Sequence, residues 1–336
     1  MDMPRSWNLI REGQLRKLIL VVSRLRSVPM LGDSPFGAIP ALQPGARVAL
    51  VAPAGVIRRK EDLDRACENV QSFGWTPIVG ANVRRRVGYL AGTDEERLAD
   101  LNSALRDDEI DAVWCIRGGY GSMRLLDRID YDALVRRPRP VIGFSDVTAI
   151  HSAIQRRTGL ITFHGPTARA RIPEFARESL RRALVEQADS CGLAAGGRTV
   201  ASGRAVGRLI GGNLALVTAL MGTPYAFDFN EAILVIEDIG EAVYRIDRML
   251  RQLVLAGALE RCAALVTGDF RPPKEEVSGD NRALADVIAE AAGSAGIPCI
   301  SGAPFGHISN QWTIPLGARA ELDADARSLR VIAREA

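Results

Sequence analysis

The sequence predicts an α/β fold: an N-terminal parallel sheet carrying a nucleophile-elbow turn, followed by a smaller mixed α/β half. Three observations carry this. Short apolar runs alternate with helical periodicities from Arg47 onward, the pattern of βαβ units. Several of these runs end in glycine or small polar residues that open a helix. The chain has 336 residues, enough for about two domains. Hydrophobic residues make up 47% and charged residues 25%, which excludes a disordered, collagenous or purely coiled-coil chain.

Residues 1–44 lack a clear period and end in Pro35, Gly37, Pro40, Pro44 and Gly45. They read as an extension, with disorder in part. Val48–Ala52 is a buried strand feeding Pro53-Ala54-Gly55. Lys60–Phe73 places Leu63, Ala66, Cys67, Val70 and Phe73 on one helical face. Thr76–Val79 is a strand. Thr93 with Glu96 forms a capping box that opens a helix with Leu98, Leu101 and Leu105 inward. Ile110–Ile116 is a buried strand running into Arg117-Gly118-Gly119-Tyr120-Gly121, with a helix to about Arg128. Pro140–Phe144 is a strand, Asp146–Arg157 a helix and Ile161–His164 a strand. Residues 187–203, rich in Ala, Gly and Ser, read as a linker between a domain at 45–186 and one at 204–336. In the second half, strands are expected at 205–210, 233–236 and 263–267. Helices are expected from Leu214, over 242–255 and over 281–292, and a hairpin near 323–326.

Composition narrows the function. Forty-three Lys+Arg against forty Asp+Glu give +3, too balanced to argue for nucleic acid. The five cysteines are dispersed and form no CxxC, which fits a reducing, cytoplasmic setting and no Cys-rich zinc site. Cys115 and Cys299 lie in apolar runs and read as core. No apolar run approaches a membrane span. The histidines are His151, His164 and His307, with no H-x-x-x-H, so no metal or other cofactor is implied.

Four segments can carry chemistry. Gly143-Phe144-Ser145-Asp146 has the layout of a nucleophile elbow, although Val147 stands where G-x-S-x-G has its second glycine. Its alternative is a helix cap at Ser145 or Asp146. The 117–121 loop can aim backbone N–H groups at an oxyanion or carboxylate; a phosphate loop lacks its Lys and spacing, and a tight turn is the plain alternative. Glu237-Asp238 ends a strand, a common place for a site; the alternative is a cap for the helix that begins just after. His307, in a Gly-preceded loop, competes with His164 at a strand end; His151 sits on a helix. Acyl transfer by Ser needs a base, and the base needs an acceptor that fixes its tautomer. A Ser, a carboxylate and a His at separate strand ends meet that need.

Taken in order, these motifs resemble the LD-carboxypeptidases, a serine peptidase family that includes muramoyltetrapeptide carboxypeptidases and microcin C self-immunity proteins. The resemblance spans about Arg47 to Leu329. It rests on 51–55, 117–121, 143–146, His164-Gly165-Pro166, Gly211-Gly212-Asn213-Leu214, Glu237-Asp238, Tyr244–Arg248, and Gly306-His307 with Pro315-Leu316-Gly317. It implies a Rossmann- or flavodoxin-like first domain. It also implies a Ser145–Glu237–His307 triad, with Glu241 the rival acid, and an oxyanion hole from the backbone of Gly119 and Asp146. His164 would then be structural. The expected substrate is an L,D-linked murein tetrapeptide that loses its terminal D-alanine, and the expected assembly is a homodimer. Arg117 and Tyr120 are the candidate substrate contacts. The rivals are a microcin-type hydrolase, for which Trp312 could stack on a base or be merely an apolar plug, a binding protein that keeps the scaffold, and a nucleotide-binding protein, which lacks a phosphate motif.

Overall fold

The computed structural model describes residues 34–271, 273 and 282–333. The first sheet has six strands in the order β12-β5-β4-β3-β1-β2. These are β1 Arg47–Val51, β2 Thr76–Val79, β3 Ala112–Cys115, β4 Val141–Gly143, β5 Thr162–His164 and β12 Ile314–Leu316. β1 to β5 are mutually parallel, and β12 joins antiparallel to β5, with Ile314 opposite His164. Order 2-1-3-4-5 is that of flavodoxin-like sheets, and such sheets hold ligands outside the carboxyl ends of their strands.

The second sheet has eight strands in the order β6-β14-β13-β8-β9-β10-β11-β7. They are β6 Gly192–Leu193, β7 Arg198–Ala201, β8 Arg204–Asn213, β9 Ala232–Ile239, β10 Ala264–Arg271, β11 Cys299–Ser301, β13 Arg319–Asp323 and β14 Ser328–Val331. β8 to β11 are parallel and the flanking strands antiparallel. Alternate residues of β9 serve two cores. Ile233 and Val235 join the core shared with the first sheet, whereas Leu234 and Ile236 face the helices Val243–Leu255 and Leu284–Ala295. A strand covered on both faces reads as an unbroken apolar run, which is why periodicity alone left its facing undefined.

Most expected elements are present, with these differences. The Thr93 capping box forms and opens Asp94–Arg106. The expected helix to Arg128 is a 3-10 helix, Ser122–Arg128, followed by an unexpected short helix, Tyr131–Arg136, capped by Asp130. The helix expected from Asp146 starts as a 3-10 turn, Ser145–Val147, and continues as Thr148–Thr158. Helix Glu174–Arg181 was not expected. The 187–203 stretch carries β6 and β7, and so adds to the second sheet. Of the N-terminal stretch, residues 1–33 lie outside those described. Phe36, Ile39 and Leu42 are buried, and the Phe36 ring meets Phe163 edge-on at 5.6 Å. The helix expected over 281–292 runs over Leu284–Ala295, and Asn281 lies outside the described residues. Among the described residues no helix is long and apolar enough to cross a membrane.

β12 belongs to the last part of the chain yet closes the first sheet, so the two halves share a strand seam. Ile314→Ala removes a fully buried side chain from that seam and should cost about 2–5 kcal/mol, read by a urea titration of unfolding. Val206→Ala, at an exposed position of β8, should stay within about 0.5 kcal/mol of wild type in the same urea titration.

Candidate active site

Ser145 follows β4 directly and takes φ +64°, a left-handed conformation that is uncommon for a residue with a side chain. The sharp turn lifts the hydroxyl off the strand end, as a nucleophile elbow requires. The glycine loop lies against it. A Cβ on Gly118 would stand 2.9 Å from Ser145 Cβ, so a side chain there would displace the elbow. The Gly118 carbonyl accepts from the Gly55 N–H at 3.1 Å, which ties this loop to the one after β1. Among the described residues neither the Gly119 nor the Asp146 N–H is engaged in a hydrogen bond. Asp146 opens a helical turn, where N–H groups point outward with a positive dipole end.

The buried Asp146 carboxylate does a separate job: Oδ2 accepts from the Ser122 N–H at 2.8 Å and so holds the glycine loop to the elbow. Burial raises its pKa, and hydrogen bonds from Ser122 and Gly121 oppose the rise. Arg97, buried from the capped helix, donates to the Gly121 carbonyl at 3.0 Å and to the Pro53 carbonyl, and pairs with Asp94. Arg97 was not foreseen; its sequence signal is only an i,i+3 partner, Asp94, on a capped helix.

The Glu237 side chain is fully buried near the end of β9, and its Oε2 lies 2.6 Å from His307 Nδ1. Burial raises the Glu237 pKa, opposed by the His307 bond and charge. Gly306 lets the loop come this close, since a Cβ there would lie 2.8 Å from Glu237 Cβ. The other candidates for the acid point elsewhere. Asp238 accepts from Asn213 Nδ2 at 3.0 Å and from the Ala215 N–H at 2.9 Å, so it holds the start of the helix Leu214–Ala219 and does not cap the helix Val243–Leu255 that follows it. Glu241 pairs with Arg245.

Phe144 joins the two halves of the site. Its ring packs edge-on to His307 with centroids 4.8 Å apart, and the next residue is Ser145. No hydrogen bond joins Ser145 to His307 in this structure; such contacts are often looser before substrate arrives. Asn213, quoted above only as part of a motif, is a second bridge. Its N–H donates to Thr148 Oγ1 on the elbow helix at 2.9 Å, and its side chain reaches Glu237 and Asp238.

The remaining histidines are buried behind the elbow. His151 Nε2 bonds the Gly143 carbonyl at 2.8 Å, and His164 packs between Phe144 and Phe305. Arg117 turns inward to the carbonyls of Val56, at 2.6 Å, and Gly118, at 3.2 Å. Tyr120 is exposed and meets the Tyr89 ring at 5.6 Å. Trp312 is 1% exposed. It fills the core and cannot stack on a bound base, so of its two readings, stacking residue or apolar plug, the structure corrects the first and fits the second.

Profiles of the family match at this point: its N-terminal domain over residues 48–165 and its C-terminal domain over 206–322. The chain belongs to the LD-carboxypeptidase family. It is a serine carboxypeptidase. A murein tetrapeptide carboxypeptidase of Pseudomonas aeruginosa is 34% identical over 296 residues, covering 83% of this chain and 94% of that protein. The crystal structure of a muramoyltetrapeptide carboxypeptidase from Oxalobacter formigenes superposes with a TM-score of 0.73 at 27% identity, covering 86% of this chain and 99% of that one. The microcin C7 self-immunity protein shares the fold, with a TM-score of 0.81 at 24% identity over 89% of this chain and 98% of its own.

Burial pushes His164 down to about 3 and His151 down to about 4, so both fold neutral. The unfolded chain takes up these protons from about pH 6.5 downward. Their contribution to stability is therefore present above about pH 6.5 and is lost as pH falls toward 4. His164→Gln should make the stability-versus-pH slope between 6.5 and 4 about one proton shallower, read by urea unfolding across that range.

Proposed function

We propose that the enzyme removes the C-terminal D-alanine from an L,D-linked murein tetrapeptide during cell-wall recycling, with Ser145 as nucleophile, His307 as base and Glu237 as its acceptor. The observation that carries this is the buried Glu237–His307 pair at 2.6 Å, packed through Phe144 against a serine held at φ +64°. Residues 45–186 supply the nucleophile and residues 204–336 the acid and base.

The geometry supports these steps. Glu237 takes the Nδ1 proton as a hydrogen bond, which leaves Nε2 as the basic nitrogen and stabilises the imidazolium once it forms. Ser145 Oγ attacks the L-centre carbonyl of the diamino-acid residue as Nε2 accepts its proton. The developing oxyanion is received by the N–H groups of Gly119 and Asp146, held in place by the Asp146 carboxylate and Arg97. Protonated His307 then delivers its proton to the leaving D-alanine amine. Water hydrolyses the acyl-enzyme by the same route in reverse. Arg117 already spends Nη1 and Nε on main-chain carbonyls, so its Nη2, with Tyr120, is what remains to meet the substrate. The family resemblance supports a homodimer, which sedimentation of the purified chain would test, and the dispersed cysteines fit a reducing, cytoplasmic setting.

The test is release of D-alanine from a synthetic murein tetrapeptide, followed by mass. Ser145→Ala should fold normally and lower kcat by roughly a thousandfold or more. Glu237→Gln, which leaves His307 without its anionic acceptor, should lower kcat roughly 10⁴-fold. His164→Ala should retain measurable turnover. Full activity in Ser145→Ala would overturn the assignment.

A further inference from the structure

A β-bulge lies one strand away from the acid. β10 pairs with β9 through Thr267 opposite Ile236 and Phe270 opposite Asp238, so Gly268 and Asp269 together face Glu237 alone. Bulges re-aim side chains beside active sites. Here the Asp269 N–H is taken by the Phe305 carbonyl at 2.9 Å, two residues before His307. The Asp269 side chain lines a cavity of about 320 Å³ with Asn310 and apolar walls that include Phe175, Leu193, Pro304 and Ile308. Ile308 follows His307 directly, and Asp269 and Gly302 stand at the ends of the parallel strands β10 and β11. The cavity therefore opens along the edge of the sheet that presents Glu237, on the loop that carries the base.

Its chemistry is specific. An apolar chamber with one carboxylate in its wall suits an aliphatic side chain ending in an ammonium group. Among the described residues the Asp269 carboxylate is held by half-exposed Arg271, whose Nε lies 2.5 Å from Oδ2. That pair is solvated, so an incoming ammonium can share the carboxylate at little loss. Phe175 and Leu193 are exposed apolar side chains that an aliphatic chain would cover.

We infer that this cavity receives the ammonium-bearing side chain of the residue whose carbonyl Ser145 attacks, with Asp269 as the determinant of specificity. The inference rests on the proposed carboxypeptidase reading, in which that residue is a diamino acid. Lysine and diaminopimelate share the ammonium. Diaminopimelate adds a far carboxylate, which Arg271 is placed to meet.

The experiment uses three tetrapeptides that differ only at this residue: lysine, diaminopimelate and norleucine, the last having lysine's chain without its amine. The wild-type enzyme should favour lysine or diaminopimelate over norleucine by about tenfold or more in kcat/KM, the usual worth of a hydrogen bond to a charged group. Asp269→Asn should bring that ratio close to one, with near-UV circular dichroism unchanged. A diaminopimelate preference that Arg271→Ala removes assigns the far carboxylate to Arg271; equal use of lysine and diaminopimelate assigns the cavity to the ammonium alone. A wild-type enzyme that does not distinguish norleucine, or an Asp269→Asn enzyme that keeps the full ratio, overturns the inference while the carboxypeptidase reading stands. Cleavage of none of the three overturns that reading and the cavity assignment with it.

Discussion

A carboxylate taken fully out of water is costly unless hydrogen bonds and opposite charge offset its lost hydration. Glu237 is in that position, and the parts of the site are arranged around its needs. His307 meets one oxygen at 2.6 Å and Asn213 approaches the other at 3.4 Å. Gly306 is the residue that permits the His307 loop to lie so close. The same desolvation that threatens stability makes the Glu237–His307 bond strong, because a low-dielectric setting weakens hydrogen bonds and charge interactions least. Removing His307 would leave a buried carboxylate with one partner fewer, apart from the proton transfer proposed for it.

The second dependency is the seam between the sheets. β12 caps the first sheet although it comes from the end of the chain, and Asn213 joins the end of β8 to the elbow helix through Thr148. Phe144 then packs on His307. Ser145 on one sheet and His307 beside the other keep a constant relation only because these contacts are buried and close-packed. The glycine loop is fixed differently, by charge: Asp146 and Arg97 hold it through its backbone. Two buried ionic groups spent on one five-residue loop are more than a turn needs, and they fit a loop whose N–H groups must be aimed.

Much of this was legible in the sequence. The strands around Val48, Thr76, Val141 and Ile233 were readable because apolar runs bounded by glycine and polar residues have few other interpretations. The Thr93–Glu96 capping box was readable because its partners are three residues apart. Ser145 and His307 stood out from their surroundings, one at a strand-to-helix junction and one as a scarce residue type. Other features were not legible, for a common reason. The segment 122–128 is 3-10 and not α, and its first N–H is held by Asp146, a residue 24 positions away. Arg97 looked like an ordinary helix-surface charge, and only burial against two distant carbonyls gives it a role. Trp312 and Tyr120 are both aromatic, and nothing local says that one is core and the other exposed.

The sequence by itself determined the α/β class, the order of most elements and the family, because periodicity, capping and motif order are local properties of the chain. It also narrowed the base to a choice among three histidines. Tertiary structure decided which carboxylate meets His307, which sheet takes the strand at Ile314–Leu316, and where Asp269 points. Those outcomes depend on which groups are brought within a few ångströms of one another and shut off from water, and neither proximity nor desolvation is written in residues that lie 70 or more positions apart.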